Sequence, residues 1–190
     1  MSTPDELCFV IDFLGPFRVS TGEAAPGIDA TIDQSDPLPA TSLKGVMRAT
    51  AKRLLGEDAP LVPAVFGGAG APSPWHWSDA EAARWHRPQI TARVQLDRET
   101  HTASPDMLAL AEETWAQRAE FRVTRIGSLG GGTGLAGDPA VHVAVLAIAG
   151  RATRSVGAGR RRGVGWVHIT CPDLALDRAA IETFLSGRTA

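Results

Sequence analysis

TSLKGVMRATAKRLLG, residues 41–56, decides the fold more than any other stretch of this sequence. Leu43, Val46, Met47 and Leu54 recur at helical spacing. Thr41 or Ser42 can cap the N-terminus, and Gly56 can stop the C-terminus. A helix over 42–55 follows. Lys44, Arg48 and Lys52, spaced i, i+4, i+8, form a basic stripe beside the apolar one. An exposed helix N-terminus carries unpaired N–H groups and the positive end of the macrodipole, so Ser42 to Gly45 can hold a phosphate with help from Lys44 and Arg48. Gly45 would let a nucleic-acid backbone come close. Simple capping and a solvated basic face explain the same residues.

Upstream of the helix, residues 20–40 are rich in Gly, Pro, Ser and Asp and read as a long loop, of the kind that is functional or disordered. Before it, LCFVIDFLGPFRV (7–19) reads as a buried first strand ending near Gly15 and Pro16. Downstream, 57–74 is loop-like and Trp75 to Asp79 suggests a short strand. Ile90, Ala92, Val94 and Leu96 alternate as a better one, and Asp97 to Asp106 breaks that pattern. Glu120 to Ile126 reads as a strand, and Gly127 to Gly137 as a glycine-rich connector. Val141 to Ala149 reads as a buried helix opened by Asp138 and Pro139, although periodicity alone also allows a strand. Val164 to Thr170 alternates, and Asp177 opens a closing helix through Leu185. This order predicts an α+β fold, a ferredoxin-like (RRM-like) βαββαβ domain with loop and thumb insertions. It would be one domain over 1–190, with a functional loop at about 20–40 and a thumb at about 97–119.

The composition bounds function. Of 190 residues, 44% are apolar and 21% charged, a globular profile. No apolar run approaches a membrane span, and the start, MSTPDE, lacks the basic and apolar pattern of a secretory signal, so a cytoplasmic location without membrane contact is expected. Cys8 and Cys171 show no ligand spacing and read as small buried hydrophobes. A net charge of −2 argues against a sequence-independent nucleic-acid coat. Charge is unevenly placed, however: Arg151, Arg154, Arg160, Arg161 and Arg162 fall within twelve residues. In GAGRRRG, Gly157, Gly159 and Gly163 permit positive-φ turns, which would turn backbone amides and Arg160 to Arg162 outward as an anion-binding surface. The loop lacks the Gly-Lys-Ser/Thr ending of a phosphate-cradling nucleotide loop, so nucleotide hydrolysis is not expected.

Four segments in order resemble the RAMP superfamily of CRISPR proteins, above all the backbone subunits of type III effectors. They are LPATSLKGVMRATAKRLL (38–55), VFGG (65–68) with WHWSDA (75–80), ARVQLDRETHTASPDML (92–108) with EFRVTRI (120–126), and VGAGRRRGVGWVHI (156–169). The resemblance implies a guide-RNA-binding subunit that meets complementary target RNA, neighbouring copies of itself and other effector subunits. It implies RNA contacts at Ser42, Lys44, Gly45, Arg48, Lys52, Gly157, Gly159, Arg160, Arg161 and Arg162. It also implies metal-dependent endoribonuclease cleavage of target RNA through a loop aspartate, matched here by Asp29, with Asp33 as the fallback. Asp29 would hold a divalent metal, Mg2+ being the expected cofactor. Aspartates in such loops also make turns. The alternatives are a non-cleaving or capping subunit, a guide-precursor-processing endoribonuclease using His101, and an interaction module without RNA. His76, His86, His142 and His168 have no metal spacing. Trp75, Trp77, Trp85 and Trp115 are read as core packing.

Overall fold

Leu7, Phe9, Ile11 and Phe13 alternate along β1 (Glu6–Phe13) and all four are buried, as a strand with one face on a core requires. The structure is a computed structural model that describes residues 3–129 and 134–186. β1 is followed by α1 (Ala40–Leu55), α2 (Leu61–Phe66) and β2 (Trp75–Trp77). A hairpin of β3 (Gln89–Leu96) and β4 (Ala103–Glu113) comes next, then β5 (Arg118–Arg125), α3 (Pro139–Ala152), β6 (Val167–Thr170) and α4 (Arg178–Ser186). The main sheet is antiparallel throughout, in the order β2-β5-β1-β6. Leaving out the hairpin, this is the strand order and chain path of the expected βαββαβ module. Phe9 opposes Phe121 in register, and the two rings stack at 4.9 Å.

The helices cover one face of this sheet. α1 buries Leu43, Met47, Ala51 and Leu55, each such residue contributing roughly 1.5–3 kcal/mol for the larger side chains. α3 is a helix, which settles the ambiguity over 141–149. Asp138 caps it by accepting from the Ala140 N–H at 2.8 Å, with Pro139 in the first turn. Gly150 lets it settle on the sheet, since a Cβ there would lie 2.9 Å from the Phe9 ring. Within α3, His142 is fully buried. It accepts from Trp75 Nε1 at 3.1 Å and so donates through Nε2 to the Ala136 carbonyl at 2.7 Å, while burial pushes its pKa down. Trp75 and Trp77 are core, as expected. Cys8 and Cys171 are half-buried, and desolvation pushes the Cys171 thiol up to about 11.

The opposite sheet face is left open and carries charge pairs. Arg118 reaches Asp12 and Arg122 reaches Glu6, each at 2.8 Å.

Several parts of the chain differ from the sequence reading. The first strand ends at Phe13, and Pro16 to Val19 leave the sheet. The second strand is only Trp75–Trp77, leaving Asp79 free to cap α1. Where the sequence reading placed a thumb at 97–119, the structure has the β3–β4 hairpin, 89–113: β3 is one of its arms, and 97–102 turns. In that turn Asp97 accepts from the Glu99 and Thr100 N–H groups at 3.0 and 2.8 Å, which holds its carboxyl below the usual range. The segment after it belongs to the core, where Ala116 and Ala119 are buried. Last, the 20–40 loop is ordered by docking on the hairpin, through an Ala30–Ala111 bridge and the Glu112 N–H bond to the Ala30 carbonyl at 2.9 Å. Part of the glycine-rich connector, 130–133, lies outside the described residues.

Candidate nucleic-acid interface

The loop between α3 and β6 is built as a stiff ring. Val156 N–H donates to the Gly165 carbonyl at 2.8 Å, Ala158 N–H to that of Arg18 at 2.7 Å, and Gly165 N–H to that of Pro16 at 2.8 Å. Gly157 (φ +71) and Gly165 (φ +74) sit where a Cβ would come within 2.2 Å of the Arg18 oxygen and 2.0 Å of the Val156 oxygen. Only glycine permits both. Gly159 and Gly163, both left-handed, bracket a single 3-10 turn, Arg160–Arg162, and all three arginines are exposed. The expected outward display of Arg160, Arg161 and Arg162 is therefore a property of the backbone. Pro16 to Arg18, displaced from β1, is what the ring is clamped against.

Beneath this turn lies a cleft of about 700 Å3 lined by Arg18, Arg53, Arg93, Arg160, Arg161 and Arg162, with Val46, Ala49, Thr50, Ser155 and Gly159. Among the described residues it holds six arginines and no carboxylate. Arg93 is paired with Glu113 at 2.8 Å, whereas none of the other five is in an ion pair among the described residues. Among the described residues, Nε of Arg18 and of Arg93 is buried without a hydrogen-bond partner, a donor arrangement that calls for an acceptor. A smaller cleft of about 380 Å3, with Ser42, Gly45, Gly157 and Arg160, shares Val46, Ala49 and Arg160 with it. A larger one of about 950 Å3 along the hairpin shares Arg93 and Arg162. The three run together as one trough from the start of α1 to the hairpin. Converging unpaired guanidiniums there suit a row of phosphates.

The structure divides the α1 residues. Ser42 and Gly45 face the trough, and the space above Gly45 is open. Lys44, Arg48 and Lys52 lie roughly 120° further round the helix, on its other flank. Lys52 pairs with Glu57 at 2.9 Å, and desolvation, then Arg48, lowers the Lys44 pKa. The expected cap at Thr41 or Ser42 does not form. The helix begins at Ala40, with Pro39 as its N-cap residue and neither Thr41 nor Ser42 capping it. Asp79 takes the Ala40 N–H at 2.8 Å, and Pro39 O takes those of Ser42 and Leu43 at 3.0 and 3.2 Å. The anion this terminus holds is the protein's own carboxylate. Arg18, Arg53 and Arg93 were not foreseen; each comes from a different segment, and only the fold gathers them.

Asp29 is exposed and ties the loop to the hairpin. Its Oδ2 accepts from the Leu110 N–H at 2.7 Å, and its own N–H donates to the Leu110 carbonyl at 2.8 Å. Asp33 Oδ1 takes the Ser35 N–H and hydroxyl at 2.8 and 2.6 Å, so the Ser35 bonds hold its carboxyl below the usual range. Among the described residues no three His, Cys, Asp or Glu converge as metal ligands. The single carboxylate that each position offers is not a cage by itself, and an Mg2+ ion held there would complete its shell with waters and phosphate oxygens. His101 stands in the hairpin turn with φ +55, a turn position, and among the described residues no hydrogen bond orients its imidazole. Trp115 departs from the expected core role: it is exposed and stacks on His86.

A family model described as the RAMP superfamily matches residues 10–168. The chain belongs to the RAMP superfamily. Its fold is also that of a chain in the cryo-EM structure of the Type III-B Cmr-beta bound to cognate target RNA, with TM-score 0.64, 10% identity, and coverage of 97% of this chain and 100% of that one. A chain of the apo-state Type III-B Cmr-beta structure is similar at TM-score 0.59 and 11% identity, covering 88% and 97%. No curated protein matches the sequence. Among the described residues no helix is long and apolar enough to cross a membrane.

Proposed function

We propose that this chain is an RNA-binding subunit of a type III CRISPR effector, holding guide RNA phosphates along the arginine trough. The observation that carries this is the six-arginine cleft free of carboxylates, on a chain whose net charge is −2. Positive charge is concentrated at one place, next to a projecting hairpin, as an RNA track requires. The open sheet face, where RRM-type domains stack bases on aromatics, carries ion pairs instead. The hairpin would reach across the guide–target duplex, and its exposed apolar side chains, Val94 and Leu108 among them, suit contact with bases or with a neighbouring subunit. Copies of this chain and other effector subunits are the partners this reading requires. Co-expression with guide RNA tests it: RNA should purify with the wild-type chain and be lost when Arg160, Arg161 and Arg162 become alanine.

Cleavage of target RNA is a second reading, favoured by the exposure of Asp29 at the junction of loop and hairpin. Because the donors form no preformed metal site, Asp29 is assigned a positioning role in that reading. Guide-loaded complex with matched RNA, with magnesium or with a chelator, tests it. Regular cuts lost in Asp29→Ala but kept in Asp29→Asn would support positioning, whereas uncut RNA bound by wild type would leave a scaffold.

A further inference from the structure

At the foot of the hairpin, the indole of Trp115 lies parallel to the imidazole of His86, with ring centroids 4.4 Å apart and planes 10° off parallel. Trp115 keeps 40% of its surface exposed. A single exposed aromatic is ordinary, but this one is held unusually firmly. The His86 N–H donates to the Trp115 carbonyl at 2.9 Å. The preceding residue, Thr114, is buried, donates its hydroxyl to the His86 carbonyl at 2.6 Å, and exchanges both backbone bonds with Phe17 at 2.8 and 3.0 Å. The backbone that carries the stacked pair therefore needs no ordering when a ligand arrives.

Beside the indole is a pocket of about 280 Å3, walled by Gly15 and Pro16 and lined by Arg87, Gln89, Thr91 and Glu113. This is just under the roughly 300–1,000 Å3 of drug-sized sites, room for a single base and not for a helix. Glu113 is 6% exposed, accepts from Arg93 at 2.8 Å and from the Thr91 hydroxyl at 3.3 Å, and faces the pocket. Since Arg93 lines the arginine trough and Glu113 the pocket, their ion pair marks where one becomes the other.

We infer that Trp115, backed by His86, is a stacking platform for one unpaired RNA base leaving the end of the arginine trough, with Gln89 and Glu113 meeting the base edge. The inference rests on the RNA-binding reading of the trough. A rigid indole offers any base a π-face, and the neighbouring arginines carry its phosphate.

Binding of an unstructured, fluorescently labelled RNA to the full chain tests this, with wild type compared against Trp115→Ala, Trp115→Phe and the alanine triple variant at 160–162. Trp115→Ala should weaken binding roughly 5- to 150-fold, the equivalent of one stacked base at about 1–3 kcal/mol. It should leave the salt dependence unchanged, since stacking neutralises no phosphate. Trp115→Phe should keep affinity within about threefold while removing the RNA-induced quenching of tryptophan emission. Wild-type affinity in Trp115→Ala, with the triple variant still impaired, would overturn the platform and leave the trough standing. The same result accompanied by altered self-association would reassign Trp115 to a subunit contact. Loss in Trp115→Ala with no effect of the triple variant would overturn the trough, and with it the placement of the platform at the trough's end. No RNA binding by wild type would overturn both.

Discussion

Replacing Arg160, Arg161 and Arg162 together with alanine should change the salt dependence of RNA binding by a calculable amount. Five arginines of the cleft beneath the turn, Arg18, Arg53 and these three, stand outside any ion pair among the described residues. If each neutralises one phosphate, log K falls against log salt with a slope of about −3.5, taking about −0.7 per phosphate for a single strand. Affinity then drops about 100-fold between 50 and 200 mM salt. The triple variant keeps two such arginines, so its slope should be about −1.4 and its loss over the same range about sevenfold. Fluorescence anisotropy of a labelled guide-length RNA over a salt series measures both. The fold should be untouched, because all three side chains are exposed on a turn whose geometry is set by Gly159 and Gly163. Equal slopes for wild type and variant, with the variant folded, would refute the placement of phosphates in the trough.

Gly165→Ala puts a Cβ 2.0 Å from the Val156 oxygen in left-handed backbone, costing at least about 1–3 kcal/mol. Its Tm should therefore fall by several degrees, whereas Gly45→Ala, in open space on a helix, should raise Tm slightly and lower RNA affinity. His142 titrates below its ordinary 6.5 when folded, so the unfolded chain takes up a proton first as pH falls. Stability should thus be level above about pH 6.5 and decline below it. Urea unfolding at pH 7.5 and 5.5 checks this, with a smaller difference expected in His142→Gln. Asp29→Ala should loosen the loop from the hairpin, seen as faster amide exchange at Leu110, while Asp29→Asn retains an acceptor and should not.

The elements whose logic is local could be read directly. Helical spacing over 43–54, the Asp138-Pro139 start and the Asp177 cap each act within a turn or two of chain, and each stands as expected. The glycines of 157–163 announced their loop because positive φ is a property of single residues. What failed depended on distant partners. Asp79 caps α1 from the far end of β2 and so displaces Ser42 from that role. β3 reads as one more sheet strand, yet among the described residues its only strand partner is β4, and periodicity cannot say with which strand another will pair. Arg18, Arg53 and Arg93 have no common signal in the sequence. The Trp115–His86 stack joins residues 29 apart, so Trp115 alone could be read only by its residue type.

The most direct test of the account is photocrosslinking of the chain to 4-thiouridine-containing guide RNA, with the attachment sites mapped by mass spectrometry. Crosslinks should fall on the 157–163 loop and on the α1 face that carries Ser42, Gly45 and Arg53. Crosslinks confined to the open sheet face around Arg118 and Arg122 would contradict the arginine trough as the guide track.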